Sequence, residues 1–151
     1  MNRFRWTTKS FCQLTADELY KILRLRSQVF VVEQRCVFQD IDNYDQSAHH
    51  VMVWNNHRLI ATSRLFDYGR MYTDQSIGRV VCDEQYREFG TGKELMGYSM
   101  IECNRLYGKG IIHISAQYRL LGFYQKFGFQ SIGRPYDEDG IDHIAMMYFP
   151  R

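Results

Sequence analysis

Apolar and polar residues change period several times along this chain, and each change marks an element. Residues 4–14 alternate loosely, which predicts a first strand. Thr15-Ala16-Asp17-Glu18 carries the capping-box pattern, with Thr15 as N-cap and Glu18 reaching back to it. Leu19, Ile22, Leu23, Arg26, Val29 and Phe30 follow at helical spacing, so the pattern predicts a helix over 16–31. Residues 40–47 are polar and acidic and read as a loop. Strand-like runs at 50–54 and 59–67 flank Asn55-Asn56, a hairpin turn, and Tyr68-Gly69 ends the second run. A short apolar strand follows over 77–82. Residues 90–107 read as a helix with Leu95, Met96, Ser99, Met100, Cys103 and Leu106 on one face, stopped by Gly108 and Gly110. Residues 111–116 predict another strand, 119–127 a helix closed by Gly128 at C′, and 129–133 and 141–149 two last strands around the turn Asp137-Glu138-Asp139-Gly140.

In order, the elements are strand, helix, three strands, helix, strand, helix, two strands. Helices inserted between strands, with a strand-loop-helix at the centre, define a mixed α/β layer fold. Nothing in the pattern marks a linker or repeat, so we expect one domain over 1–151. A chain of 151 residues buries roughly 70% of its unfolded surface, enough for a core without staples. Lys and Arg total 19 against 17 Asp and Glu, a net charge of +2, too balanced for a nucleic-acid-coating surface. No stretch approaches the roughly 18 apolar residues of a membrane span, and the polar start lacks the apolar run of a signal peptide. These features predict a cytoplasmic protein with no nucleic-acid or membrane partner. Cys12, Cys36, Cys82 and Cys103 have no zinc or redox spacing and sit among apolar residues, so buried reduced thiols are expected.

Eleven glycines are an average share, so only their positions inform. Phe89-Gly90-Thr91-Gly92-Lys93 stands after a buried strand and opens a helix. The first amides of a helix lack intrahelical partners, the dipole adds positive potential there, and glycines let a phosphate approach the backbone. Arg87 adds a cation. A P-loop requires Ser or Thr after Gly-Lys, whereas Glu94 follows Lys93, and a dinucleotide fingerprint requires longer glycine spacing.

The run Arg87-Glu88-Phe89-Gly90-Thr91-Gly92 resembles the pyrophosphate loop of the GNAT acyltransferases, Arg/Gln-x-x-Gly-x-Gly/Ala. The segment from Gln117 to Tyr124, closed by Phe127-Gly128-Phe129, resembles that family's Asn-to-Tyr segment, with Gln where Asn is commoner. Further residues look like the ElaA-type branch: Leu25-Arg26, Val29 through Gln34 with Cys36, Asp40-Ile41-Asp42 and Asp45. His49-His50, Ile77-Gly78-Arg79-Val80, Ala116-Gln117, Glu138 through Ile141 and His143 complete the likeness, which covers roughly 10–149. The resemblance implies an acyl-coenzyme A N-acyltransferase fold, with a central mixed, mostly antiparallel twisted sheet flanked by helices. It implies acetyl-coenzyme A as cosubstrate and an amine on a small molecule or peptide as acceptor. Arg87, Glu88, Phe89, Gly90, Thr91, Gly92 and Lys93 would hold the pyrophosphate. The backbone of Val80, Val81 and Cys82 would pair with the pantetheine arm, and Gln117 would contact the pantetheine or a water. Exposed edge strands and the family's habit suggest a homodimer.

Acyl transfer from a thioester needs a deprotonated amine, a polarised carbonyl and a protonated leaving thiolate. A backbone amide near Val80 or Val81 suits the carbonyl. The resemblance places the phenol of Tyr124 near the sulfur as the acid. For the base, Glu33 lies at the end of the first helix, and His113 carries an imidazole in mid-strand, whose ordinary titration range suits proton transfer. The family also permits a water relay. His49, His50 and His143 have no ligand spacing and no metal is expected. Asp40, Asp42 and Asp45 lack the glycine and terminal Glu of a calcium loop, and as an acidic loop beside the acceptor site they would draw in a cationic amine. Two other readings remain: a coenzyme-binding interaction module without turnover, and a transferase for a longer acyl-coenzyme A.

Overall fold

The computed structural model describes residues 3–151, so the first two residues of the expected polar start lie outside it. Seven strands form one sheet in the order β1-β2-β3-β4-β5-β7-β6. They are β1 (Arg5–Ser10), β2 (His49–Asn55), β3 (Arg58–Phe66), β4 (Gln75–Cys82), β5 (Ile112–Gln117), β6 (Gln130–Glu138) and β7 (Ile141–Tyr148). Among the described residues only β4 and β5 pair in parallel, and every other neighbour is antiparallel. The helices are α1 (Ala16–Arg26), α2 (Thr91–Tyr107) and α3 (Leu121–Gln125).

Alternation in the strands sorts side chains to two faces. Val51 and Val53 of β2, Ile77 of β4, and Ile112, Ile114 and Ala116 of β5 pack with Leu95, Met96 and Cys103 of α2. Met52 and Trp54 of β2, Leu59 of β3 and Val81 of β4 pack on the other face with Ile22, Leu25 and Val29. The helix carrying those three residues covers β2 to β4.

The capping box at α1 forms as expected: Glu18 N–H donates to Thr15 Oγ1 at 3.1 Å, and Thr15 N–H to Glu18 Oε1 at 2.8 Å. Several expected boundaries move. The first strand stops at Ser10, where Phe11–Gln13 turns outward, and Cys12 is exposed rather than buried. The helix expected over 16–31 is α-helical only to Arg26; Ser27–Glu33 continues as a π-helix, with Gln34 N–H donating to Val29 O. The wider turn keeps apolar spacing while re-aiming the chain, so the pattern alone does not reveal it. The strand expected over 129–133 extends to Glu138, held by pairing with β7 rather than by burial, since all of β6 is exposed. Its hairpin closes at Asp139 and Gly140, both at positive φ.

Candidate functional site

β4 and β5 pair only at Gln75↔Ile112 and Ser76↔His113, then diverge. A bulge in β4 accompanies the split. Thr62 pairs with Val81 and Arg64 with Gly78, so Arg79 and Val80 together stand opposite Ser63. Arg79 takes φ +46, unusual for a side-chain-bearing residue, and the extra residue bends β4 away from its neighbour. The gap is a cleft of about 770 Å³. Val80, Val81 and Cys82 line one wall, Ile114, Ser115 and Gln117 the other. Beyond Ser76, the β5-facing backbone of β4 has no strand partner, which is the edge an extended ligand arm can join as an added strand.

Arg87, Gly92 and Leu95 line one end of this cleft. Asp83 caps the short helical turn Glu84–Phe89, and Gly90, at φ +74, reverses the chain into α2. Glu94 N–H makes the bond back to Gly90 O, which leaves the amides of Thr91, Gly92 and Lys93 at the open mouth of the helix. A Cβ on Gly92 would meet nothing within 4 Å, so open space lies beside this residue. Thr91 Oγ1 is buried without a partner at the same turn. Glu88 and Phe89 are exposed, the latter beneath Arg3 at 4.3 Å, and Lys93 is exposed on the first turn of α2.

Tyr124 lies in the cleft, 8% exposed, edge-on to Phe123 and Phe129. Burial pushes its phenol up to about 12, so it stays protonated and can donate. Gln117 Nε2 donates to Gln34 Oε1 at 3.1 Å, and its Oε1 accepts from Arg119 Nε at 3.1 Å. Cys82 is pushed up to about 11 by burial and stays a thiol.

The two candidate bases occupy different settings. Glu33 takes two bonds from Arg87, Nη1 to Oε1 at 2.5 Å and Nη2 to Oε2 at 2.9 Å. That pairing lowers its carboxyl below the usual range and makes it a weak proton acceptor. His113 stacks on Tyr72 at 3.8 Å, at the closed end where β4 and β5 still pair, and burial lowers its pKa. His143, in contrast, reaches the cleft wall from β7. Among the described residues no cluster of His, Cys, Asp and Glu is arranged to hold a metal, and no helix is long and apolar enough to cross a membrane.

The acidic loop is not the open negative patch expected. Arg26, 1% exposed, donates Nε to Asp40 at 3.0 Å and Nη1 to Asp45 at 2.6 Å. Arg64 donates to Asp42 at 2.8 and 2.5 Å and to Asp45 at 3.1 Å. Arg79 holds Asp40 at 2.8 Å. Three guanidiniums match three carboxylates, so the loop projects little field toward an acceptor. Its work is to tie α1, β3 and the β4 bulge together. Sequence reading missed Arg64 and Arg79 as partners because their distances become short only in the folded chain.

This network predicts acid sensitivity. Burial raises the Asp42 carboxyl, but bonding to Arg64 and attraction to Arg64 and Arg79 outweigh it and leave it at about 2, from an ordinary 3.8. A depressed folded pKa contributes stability that is complete above the unfolded value and is lost as pH falls through the folded one. Urea unfolding followed at successive pH values is expected to show midpoints falling from about pH 4 toward pH 2. Flat midpoints across that window would contradict it.

The sequence and the fold are similar to those of known proteins. The acetyltransferase (GNAT) domain model matches residues 18–148, and the chain belongs to that family. Within the family it is ElaA-like. It is 36% identical to protein ElaA of Escherichia coli over 143 residues, 93% of this chain and 94% of that protein. The crystal structure of E. coli ElaA matches with TM-score 0.90 over 96% of this chain and 99% of that one. An acyl-CoA N-acyltransferase from Pseudomonas aeruginosa is 39% identical with TM-score 0.92, over 96% and 99% of the two chains. A GNAT family acetyltransferase from Elizabethkingia anophelis, solved with acetyl-CoA bound, shares the fold at 16% identity and TM-score 0.64, over 99% of each chain.

Proposed function

We propose that this protein is an N-acetyltransferase that passes the acetyl group of acetyl-coenzyme A directly to an amine, with both substrates bound together. The observation that carries this reading is the β4–β5 cleft, which runs from the glycine-opened mouth of α2 to the buried phenol of Tyr124. Pyrophosphate suits the amides of Thr91, Gly92 and Lys93. The pantetheine suits the unpaired edge at Val80, Val81 and Cys82, and an amide there suits the developing oxyanion. Tyr124 protonates the leaving thiolate. The acetyl-CoA complex of the E. anophelis relative supports the same ligand here.

The test is an acceptor screen over small amines and peptides with acetyl-coenzyme A, read by release of free thiol. Thiol release that depends on one acceptor class supports the reading. Thermal stabilisation by the coenzyme without transfer to any acceptor would instead make the protein a coenzyme-binding module. Transfer only from longer acyl-coenzyme A would change the donor.

A second variant tests the loop itself. Gly92→Asp has space for its side chain, and a carboxylate in the first turn suits the helix dipole, so the free protein should melt no lower than the parent. The same carboxylate repels a pyrophosphate. Acetyl-coenzyme A should therefore bind at least about tenfold more weakly and lose most of its thermal shift. An unchanged shift would move the pyrophosphate elsewhere.

A further inference from the structure

Glu33 is committed to Arg87 and His113 is stacked under Tyr72, which makes both poor acceptors for the amine's proton. His143 stands opposite Gln117 in the β5–β7 ladder and lines the cleft at 8% exposure. Its Nδ1 lies 2.7 Å from Ile141 O. A carbonyl oxygen only accepts, so Nδ1 carries the hydrogen and the lone pair of the neutral ring sits on Nε2. Nε2 lies 3.1 Å from Glu138 Oε2 without the alignment of a hydrogen bond, so the carboxylate sits beside the lone pair and pairs with the ring once Nε2 takes a proton. Tyr136 lies alongside the ring, centroids 6.2 Å apart and planes within 25°, with its hydroxyl bonded to Ser115 across the sheet. The hairpin tip is pinned as well, since Cys36 Sγ donates to Asp139 O at 3.2 Å. Glu138 also lines the cleft, yet its side chain is 46% exposed. The pair therefore spans from an enclosed wall to water.

The geometry points to His143 as the base that takes the proton from the acceptor amine, with Glu138 passing it to solvent. This rests on the acetyl-transfer reading. An amine arriving as ammonium is hydrogen-bonded by Glu138 and gives one proton to Nε2. One N–H bond breaks, another forms, and the freed nitrogen pair attacks the thioester carbon. The imidazolium is balanced by the Glu138 carboxylate beside it. As the C–S bond breaks, the thiolate takes its proton from Tyr124, which recovers one from the nitrogen of the collapsing adduct. The amide keeps the last hydrogen. Net, one proton leaves through His143 and Glu138 for each acetyl group moved.

The experiment compares the full chain with His143→Ala, His143→Gln and Glu138→Gln, using an acceptor found by thiol release. His143→Ala and His143→Gln are expected to lose about 100-fold or more in kcat with KM for acetyl-coenzyme A unchanged. Gln keeps a polar side chain of similar reach, so its melting temperature should stay near the parent's. Added imidazole should restore turnover of His143→Ala in a saturable way and leave Tyr124→Phe unaffected. Glu138→Gln should lose less, about tenfold, because the imidazolium forms without its counter-charge. Parent-like kcat in either His143 variant overturns the proposal. So does a loss in His143→Ala that Gln restores, which marks a structural role, or one that imidazole leaves untouched. A parent protein that binds the coenzyme but transfers to no acceptor defeats the transferase reading itself, a different result from active His143 variants.

Discussion

Tyr124→Phe is expected to lower kcat by about 100-fold or more while leaving acetyl-coenzyme A affinity and melting temperature close to the parent's. The phenol is buried in the cleft and pushed up to about 12 by that burial, so it is fully protonated throughout the neutral range. Burial alone shifts the phenol, with no hydrogen-bonding partner among the causes, so removing the hydroxyl strands no partner. The ring keeps its edge contacts with Phe123 and Phe129, at 5.1 and 6.1 Å. A variant that folds and binds normally yet turns over slowly has lost a group that acts only as charge develops on sulfur. Steady-state kinetics with saturating acceptor, beside a thermal-shift titration with the coenzyme, separates these quantities. Parent-like kcat would remove Tyr124 as the acid, and a parallel loss of coenzyme affinity would reduce it to a wall of the cleft.

Local signals explain which parts of this molecule are legible in its sequence. The capping box, the apolar face of α2 and the Gly90-Thr91-Gly92 opening all depend on residues within a turn or two, and each appears where expected. The order of elements follows from them, and with it the mixed sheet. Chemistry that depends on distant residues is not visible in this way. Arg26 meets Asp40 across 14 positions and Arg79 meets it across 39, so the six-member network exists only once the sheet has formed. Glu33 lies 54 positions from Arg87, and nothing near Glu33 foretells the pairing that weakens it as a base. His143 reads as an isolated histidine until β6, whose exposed second half beyond the expected 129–133 is not legible, brings Glu138 and Tyr136 beside it. Periodicity reports burial, and β6 is held by backbone pairing instead.

Asp45→Asn is expected to destabilise the fold by about 3–5 kcal/mol, the usual cost of removing one partner from a buried ion pair. Asp45 Oδ1 accepts from Arg26 Nη1 at 2.6 Å and Arg64 Nη1 at 3.1 Å, and both guanidiniums are almost fully buried. The amide removes the charge between them, leaving Arg26 to Asp40 and Arg64 to Asp42. For a chain of this length the loss corresponds to roughly 10 °C in melting temperature. It should be read from a lower urea midpoint at unchanged slope. Arg26→Met combined with Asp45→Asn should cost less than the sum of the single changes, because each alone leaves the other's buried charge with one partner fewer. A single change within about 0.5 kcal/mol of the parent, or strict additivity, would mean that the cluster contributes little. The arrangement has a reason beyond stability. Arg79 sits at positive φ, a conformation costing about 1–3 kcal/mol, and its bonds to Asp40 offset that cost. Asp40 is itself held by Arg26, which Asp45 positions from the other side. Weakening Asp45 therefore reaches the bulge that parts β4 from β5, and coenzyme binding should weaken in Asp45→Asn even at temperatures where the variant remains folded.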